Sequence, residues 1–136
     1  MIRNIMHDPM FLSRRSQDAT EADRQVAQDM LDTIQANKED CVGLAANMIG
    51  VLKRIIVIDN GGFYITMYNP EIVGRTGPYE AEEGCLCHEG ERKTKRYQNI
   101  RVRYQDSEFK TRTENYEGWP AEIIQHEIDH CNGVLI

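Results

Sequence analysis

The sequence predicts one α+β domain, on three observations. An amphipathic helix pattern lies early in the chain, strand and hairpin signals dominate the middle, and a second helix pattern at the end carries two histidines four residues apart. That order is expected to give antiparallel or mixed β-sheets packed around a C-terminal helix. At 136 residues the chain is long enough for a real core and is expected to form a single catalytic domain spanning residues 1–136.

Thr20-Glu21-Ala22-Asp23 has the form of a capped helix start, and Ala22, Val26, Ala27, Met30, Leu31 and Ile34 then follow at helical spacing. The small and apolar run from Cys41 to Gly50 reads as a tight buried turn where backbone approaches another element or a ligand closely. Arg54 to Asp59 reads as a buried strand, Asn60-Gly61-Gly62 as a hairpin turn, and Phe63 to Tyr68 as the returning strand, closed by Asn69-Pro70. The acidic stretch Glu80 to Glu83 leads into Gly84-Cys85-Leu86-Cys87-His88. The basic run Arg92 to Arg96 is expected to be a solvated loop or strand edge. Ile100 to Tyr104 alternates as a half-exposed strand, with Gln105 to Ser107 as a turn and Glu108 to Thr113 as its hairpin partner. The segment from Trp119 through His130 reads as the last helix, with Pro120 in its opening position and Gly133 as its stop.

Composition narrows the function. A formal charge of -6 argues against a duplex-binding surface, and no apolar run approaches the roughly 20 residues of a membrane helix. Neither DNA nor a membrane is an expected partner. The first residues, from Met1 to Pro9, lack the apolar core of a signal peptide, so a cytoplasmic location is expected. In that compartment Cys41, Cys85, Cys87 and Cys131 point to ligation or packing rather than disulfides.

The chemistry sits in Gln125-His126-Glu127-Ile128-Asp129-His130, an H-E-x-x-H sequence. On a helix, His126 and His130 stand one turn apart on one face, as two imidazoles reaching for one metal ion must, and Glu127 beside them is placed to move a proton. They share a stripe with Ile123, so the pair is expected to point inward. A catalytic site of this kind takes three protein ligands and leaves one position open. In the extended pattern with a third histidine, the final position is Ile136, and only six residues follow His130, so the third ligand is expected upstream. Cys85, Cys87 and His88 form the upstream cluster of metal-binding side chains, and position alone leaves both thiols open.

Three stretches in order resemble the peptide deformylase family: Gly43-Leu44-Ala45-Ala46 is similar to its G-L-A-A segment, Glu83-Gly84-Cys85-Leu86-Cys87 to its E-G-C-L-S motif, and Gln125 to His130 to its Q-H-E-x-D-H motif. The resemblance extends over nearly the whole chain. It implies a peptide-deformylase-like fold, Cys85, His126 and His130 as ligands of one divalent ion, and Glu127 as general acid and base. Ferrous iron is the implied native ion, with zinc, nickel or cobalt as substitutes. The implied reaction removes the N-formyl group from formyl-methionyl peptides or nascent chains by metal-hydroxide attack on the formyl carbon, with the Leu86 backbone N–H holding the oxyanion.

The resemblance fails at one functional position. The family's first motif ends in a glutamine whose amide donates to the oxyanion, and here that position is Met48, a thioether with no hydrogen to give. Asn47, one residue earlier, carries an amide and is the candidate replacement donor if the register shifts locally. Cys41 and Cys87 also depart from the motifs, and both read as inert substitutions. Gly43, Leu44 and Ile123 are the candidate substrate contacts, the last two as an apolar wall for a methionine side chain. Two alternatives stand beside the leading one: an amidase acting on another N-acyl substrate, and a metal-binding deformylase-like protein with little activity. Ribosome contact has no support in the sequence.

Overall fold

A computed structural model describes residues 1–136. The architecture is a five-stranded antiparallel meander with two long helices packed on it. In chain order the elements are a four-residue helix α1 (Pro9–Leu12), α2 (Arg24–Ala36), β1 (Gly43–Ala45), β2 (Ile55–Asp59), β3 (Tyr64–Cys85), β4 (His88–Gln105), β5 (Thr111–Glu117) and α3 (Gly118–Cys131). The sheet order follows the chain order, so each strand pairs with the next. The expected α+β class, with its antiparallel sheet and C-terminal helix, is the one observed.

The start of α2 forms as its sequence predicts. Thr20 and Asp23 make a reciprocal capping box around a short 3₁₀ turn, with the Thr20 N–H donating to the Asp23 carboxylate at 2.8 Å. Met30 and Ile34 on the inner stripe are fully buried against the sheet. Ile55, Ile56, Val57 and Ile58 of β2 are also fully buried, with both α2 and α3 packed on this strand. The run Cys41 to Gly50, read as a tight buried turn, divides in two: Gly43–Ala45 form β1, and Ala46–Ile49 form a 3₁₀ turn closed by Gly50 in the left-handed conformation.

Two expectations need correction. Asn69-Pro70 does not close a strand, since β3 runs through it to Cys85 with a register shift between Tyr68 and Glu71. Asn69 tolerates the left-handed φ of 53° that the bulge imposes, and its side chain bonds the Ala19 N–H, the Ala19 carbonyl and Gln105. The partner of β4 begins at Thr111 rather than Glu108. Asp106 accepts the Glu108 and Lys110 N–H groups and the Arg112 guanidinium, which holds a longer loop than the three-residue turn expected. The run Arg92 to Arg96 is a strand edge, as expected: it lies in β4 beyond the reach of β5, which pairs only with Asn99 to Gln105, and among its bases Arg96 alone is turned into the protein, at 3% exposure.

These strands present one structural consequence for the site. β3 and β4 form a single long hairpin whose tip, Leu86-Cys87, carries Cys85 on its last strand residue, paired with His88. Helix α3 crosses the hairpin, and Gln125 docks it: its side-chain oxygen accepts the Tyr97 N–H at 2.9 Å, and its amide donates to the Tyr97 carbonyl at 2.9 Å. The far end of α3 stops at Gly133, φ +78°, where an added Cβ would meet the Ser13 carbonyl oxygen at 2.5 Å.

That contact separates two costs of replacing a left-handed glycine. Gly61→Ala, at φ +75° with open space around it, is expected to lose about 1 kcal/mol from backbone strain alone. Gly133→Ala, which must also displace backbone, is expected to lose roughly 3–4 kcal/mol. Urea unfolding of the two variants measures the difference, and equal losses would show that the segment at Ser13 does not seat against the helix end.

Candidate active site

The residues singled out in three separate stretches converge where α3 passes the tip of the β3–β4 hairpin and the edge of β1. His126 and His130 lie on the buried face of α3, and their Nε2 atoms point at one another 3.1 Å apart. The Cys85 sulfur sits 3.4 Å from the His130 Nε2. Two overlapping groups of potential donors result, Cys85 with Cys87 and His130, and His126 with Glu127 and His130, each set lying within 4.8 Å. One thiol and two imidazoles are a borderline-soft donor set of the kind divalent transition ions take, so the residues fit such an ion.

The imidazole of His126 is held from behind. Its Nδ1 is 2.8 Å from Glu83, and Glu83 is gripped by the Arg96 guanidinium through two hydrogen bonds of 2.6 and 2.9 Å. Arg96 reaches Asp129 of α3 at 2.7 Å as well. A carboxylate on the far nitrogen fixes which nitrogen of a ligating histidine faces the site. Burial alone would favour a neutral Glu83, but the hydrogen bonds from His126 and Arg96 outweigh it and hold the carboxyl down at about 2. Sequence reasoning missed Arg96 because it stands in a run of five residues with three other bases. The usable signal was strand alternation, which turns alternate residues of such a run inward.

Glu127 is 3% exposed, and its Oε1 has no hydrogen-bond partner in the protein. Burial raises its pKa to about 7, the region in which a carboxyl both takes and returns protons at neutral pH. The two histidines are driven apart. Burial and the neighbouring His126 charge push His130 down; burial also opposes charge on His126, but the Cys85 contact and the Glu127 and Glu83 carboxylates push it up. Gly43 makes room for Glu127, because a Cβ there would stand 2.6 Å from the Glu127 Oε2 and 2.6 Å from Ile123.

The group opens into a cavity of about 300 Å³, whose wall includes Gly43, Met48, Cys85, Leu86, Ile123, His126 and Glu127. Two expectations fail here. Leu44 is not on this wall; on β1 it faces opposite to Gly43 and is fully buried in the core. Asn47 is not on it either, because no register shift occurs. Its amide donates to the His130 carbonyl at 2.9 Å, tying the 3₁₀ turn to the end of α3, and Met48 stands on the cavity wall instead. Trp119, read from the sequence only as part of the helix start, lines the mouth and is 58% exposed.

Comparison with known proteins points the same way as the geometry. The sequence model of the polypeptide deformylase family matches residues 2–136. A peptide deformylase of Clostridium beijerinckii is 49% identical over 136 residues, covering all of both chains. The crystal structure of the Thermotoga maritima peptide deformylase superposes with a TM-score of 0.89 at 34% identity, over 99% of this chain and 95% of the other. A peptide deformylase of Acinetobacter baumannii with Met-Ala-Ser bound superposes with a TM-score of 0.88 at 25% identity, over 99% and 97% of the two chains.

The buried Arg96–Glu83 pair gives a stability test. Arg96→Met leaves Glu83 buried with His126 as its remaining partner and is expected to lose about 3–5 kcal/mol. Denaturant unfolding checks it, and a loss under about 1 kcal/mol would mean that Glu83 finds water in the variant.

Proposed function

Because this chain belongs to the polypeptide deformylase family, whose hydrolases remove N-formyl groups from nascent peptides, we propose that Cys85, His126 and His130 hold one divalent ion beside Glu127 as the proton carrier. The observation that carries this assignment is the convergence of two Nε2 atoms and one sulfur next to a carboxylate with an unpartnered, buried oxygen. Ferrous iron is the ion proposed as native, with zinc, nickel and cobalt as substitutes, since a thiol with two imidazoles accepts each of them. When bound, the ion supplies Lewis-acid activation of water and of the formyl carbonyl.

The residues of the chain divide the rest of the work. Glu127 takes the proton released when water adds to the formyl carbon and gives it to the amine as the carbon–nitrogen bond breaks, leaving formate and a free N-terminus. Its depth in the protein keeps that proton from bulk water, and its elevated pKa suits both transfers. The Glu83–Arg96 pair positions His126, and Gly43 leaves the gap that Glu127 occupies. The Leu86 backbone N–H, at the cavity wall beside Cys85, is the proposed donor to the oxyanion. Gly43 and Ile123 flank the site and contact the substrate, with Ile123 and Trp119 as the apolar surface for its methionine side chain. That the Acinetobacter baumannii relative binds Met-Ala-Ser supports a formyl-methionyl peptide as substrate. The proposed setting is the cytoplasm, where such chains are made; no helix is long and apolar enough to cross a membrane.

Met48 sets the rate in this reading. Its side chain is on the cavity wall, and a thioether donates no hydrogen bond, so Leu86 is left as the proposed oxyanion donor. Met48→Gln is therefore expected to raise turnover of formyl-Met-Ala-Ser by roughly ten- to a hundredfold, the reverse of what deletion of such a donor does. An unchanged or lower rate would show that the site stabilises the oxyanion without an amide at this position.

The proton carrier is tested separately. Glu127→Gln is expected to lower formate release by about 10²–10⁴-fold while the protein still retains its metal through Cys85, His126 and His130. Formate release by the metal-loaded variant equal to that of the parent would remove Glu127 from the mechanism. Metal content near zero in the parent, prepared anaerobically without chelator, would remove the ligand assignment.

A further inference from the structure

Cys87 has no role in deformylation as described above, and its surroundings set it apart from the other spare thiols. The Cys41 thiol donates to the Gly43 carbonyl at 3.0 Å, whereas the Cys87 sulfur lies 3.1 Å from the sulfur of Cys85. The hairpin tip produces this approach. Cys85 is the last residue of β3, His88 pairs with it as the first residue of β4, and Leu86-Cys87 is the two-residue turn that brings the second sulfur back beside the first. Accessibility differs between them. Cys85 is half-buried on the wall of the cavity, while Cys87 is 2% exposed and does not line it. A small oxidant entering by the mouth meets Cys85 first, with Cys87 directly behind.

We propose that Cys85 and Cys87 form a hydroperoxide-reactive dithiol site, in which Cys85 is oxidised and Cys87 closes a reversible disulfide on it. In the first step the Cys85 thiolate attacks one peroxide oxygen, the O–O bond breaks, and the other oxygen leaves as water or alcohol. Cys85 is then a sulfenic acid. In the second step the Cys87 sulfur attacks the Cys85 sulfur, the S–S bond forms, and the sulfenic oxygen leaves as water with the Cys87 proton. Two thiols give up two electrons and one peroxide accepts them. The ring spans one intervening residue, Leu86, and a disulfide constrained in this way is readily reduced by a small dithiol. Capture by Cys87 thus stops Cys85 at a recoverable stage, ahead of the irreversible sulfinic and sulfonic acids.

The site is independent of turnover, so its test stands apart from the deformylase assay. Zinc-loaded parent and Cys87→Ser proteins are treated with hydrogen peroxide, then read by intact mass, peptide mapping and zinc release to a chromogenic chelator. The parent is expected to lose two hydrogens, to yield a peptide cross-linked between Cys85 and Cys87, and to release zinc. Dithiothreitol and fresh zinc should reverse all three changes. Cys87→Ser is expected to gain two or three oxygens on Cys85 and to release zinc without recovery. The proposal is overturned if the parent gains oxygens on Cys85 as the variant does, pairs Cys85 with Cys41 or Cys131, or stays unchanged under peroxide.

Discussion

A charged chain buried between the hairpin and the last helix holds this protein's chemistry in place. Arg96 on β4 grips Glu83 on β3, Glu83 holds His126 on α3, and Arg96 also reaches Asp129 one turn further along that helix. Each link joins a different element, so α3 can rotate or slide only by breaking a charge-assisted hydrogen bond in a dry environment. A purely apolar contact would tolerate a helix shifted by a fraction of a turn; this one specifies the angle at which both imidazoles leave the helix. The remaining polar members of the last motif act in the same sense, with Gln125 docking the helix just before His126 and Asp129 docking it between the two histidines.

The opposite arrangement surrounds Glu127. The space for it exists because Gly43 has no side chain. Here the protein places a carboxyl in a low-dielectric cavity and leaves one of its oxygens without a partner, which raises its affinity for a proton. Glu83 and Glu127 are thus two buried carboxyls, close in space, with opposite electrostatic fates. One is saturated with donors and stays charged, the other is starved of them and can exchange a proton near neutrality. Position relative to Arg96 decides which is which.

Much of this was readable from residues alone because it rests on periodicity and local chemistry. The α2 stripe, the β2 run, the Asn60-Gly61-Gly62 turn and the histidine spacing each depend on near neighbours in the chain. What was hidden depends on tertiary context. Arg96 looks like any other member of a basic run until alternation on its strand turns it toward α3, where it meets Asp129. Asn47 has the amide that the site lacks, yet the backbone carbonyl of His130 claims it, and no sequence rule forecasts which acceptor an asparagine will find. Leu44 was indistinguishable from a pocket residue because β1 alternates, and the choice of face belongs to the sheet it joins. Asn69-Pro70 has the composition of a strand end, but a strand of this length can absorb a bulge and continue.

The docking of Gln125 on Tyr97 also bears on how the chain behaves among its copies. β5 pairs with β4 as far as Asn99, and Tyr97, two residues on, would present a free N–H and carbonyl along the same edge. The side-chain amide of Gln125 answers both groups as the next residue of a strand would, so the helix completes the ladder at the point where the strand turns away. An open ladder at that point is a template on which another chain could add itself. The same glutamine that sets the helix on the hairpin therefore leaves no unpaired backbone at Tyr97 for such an addition.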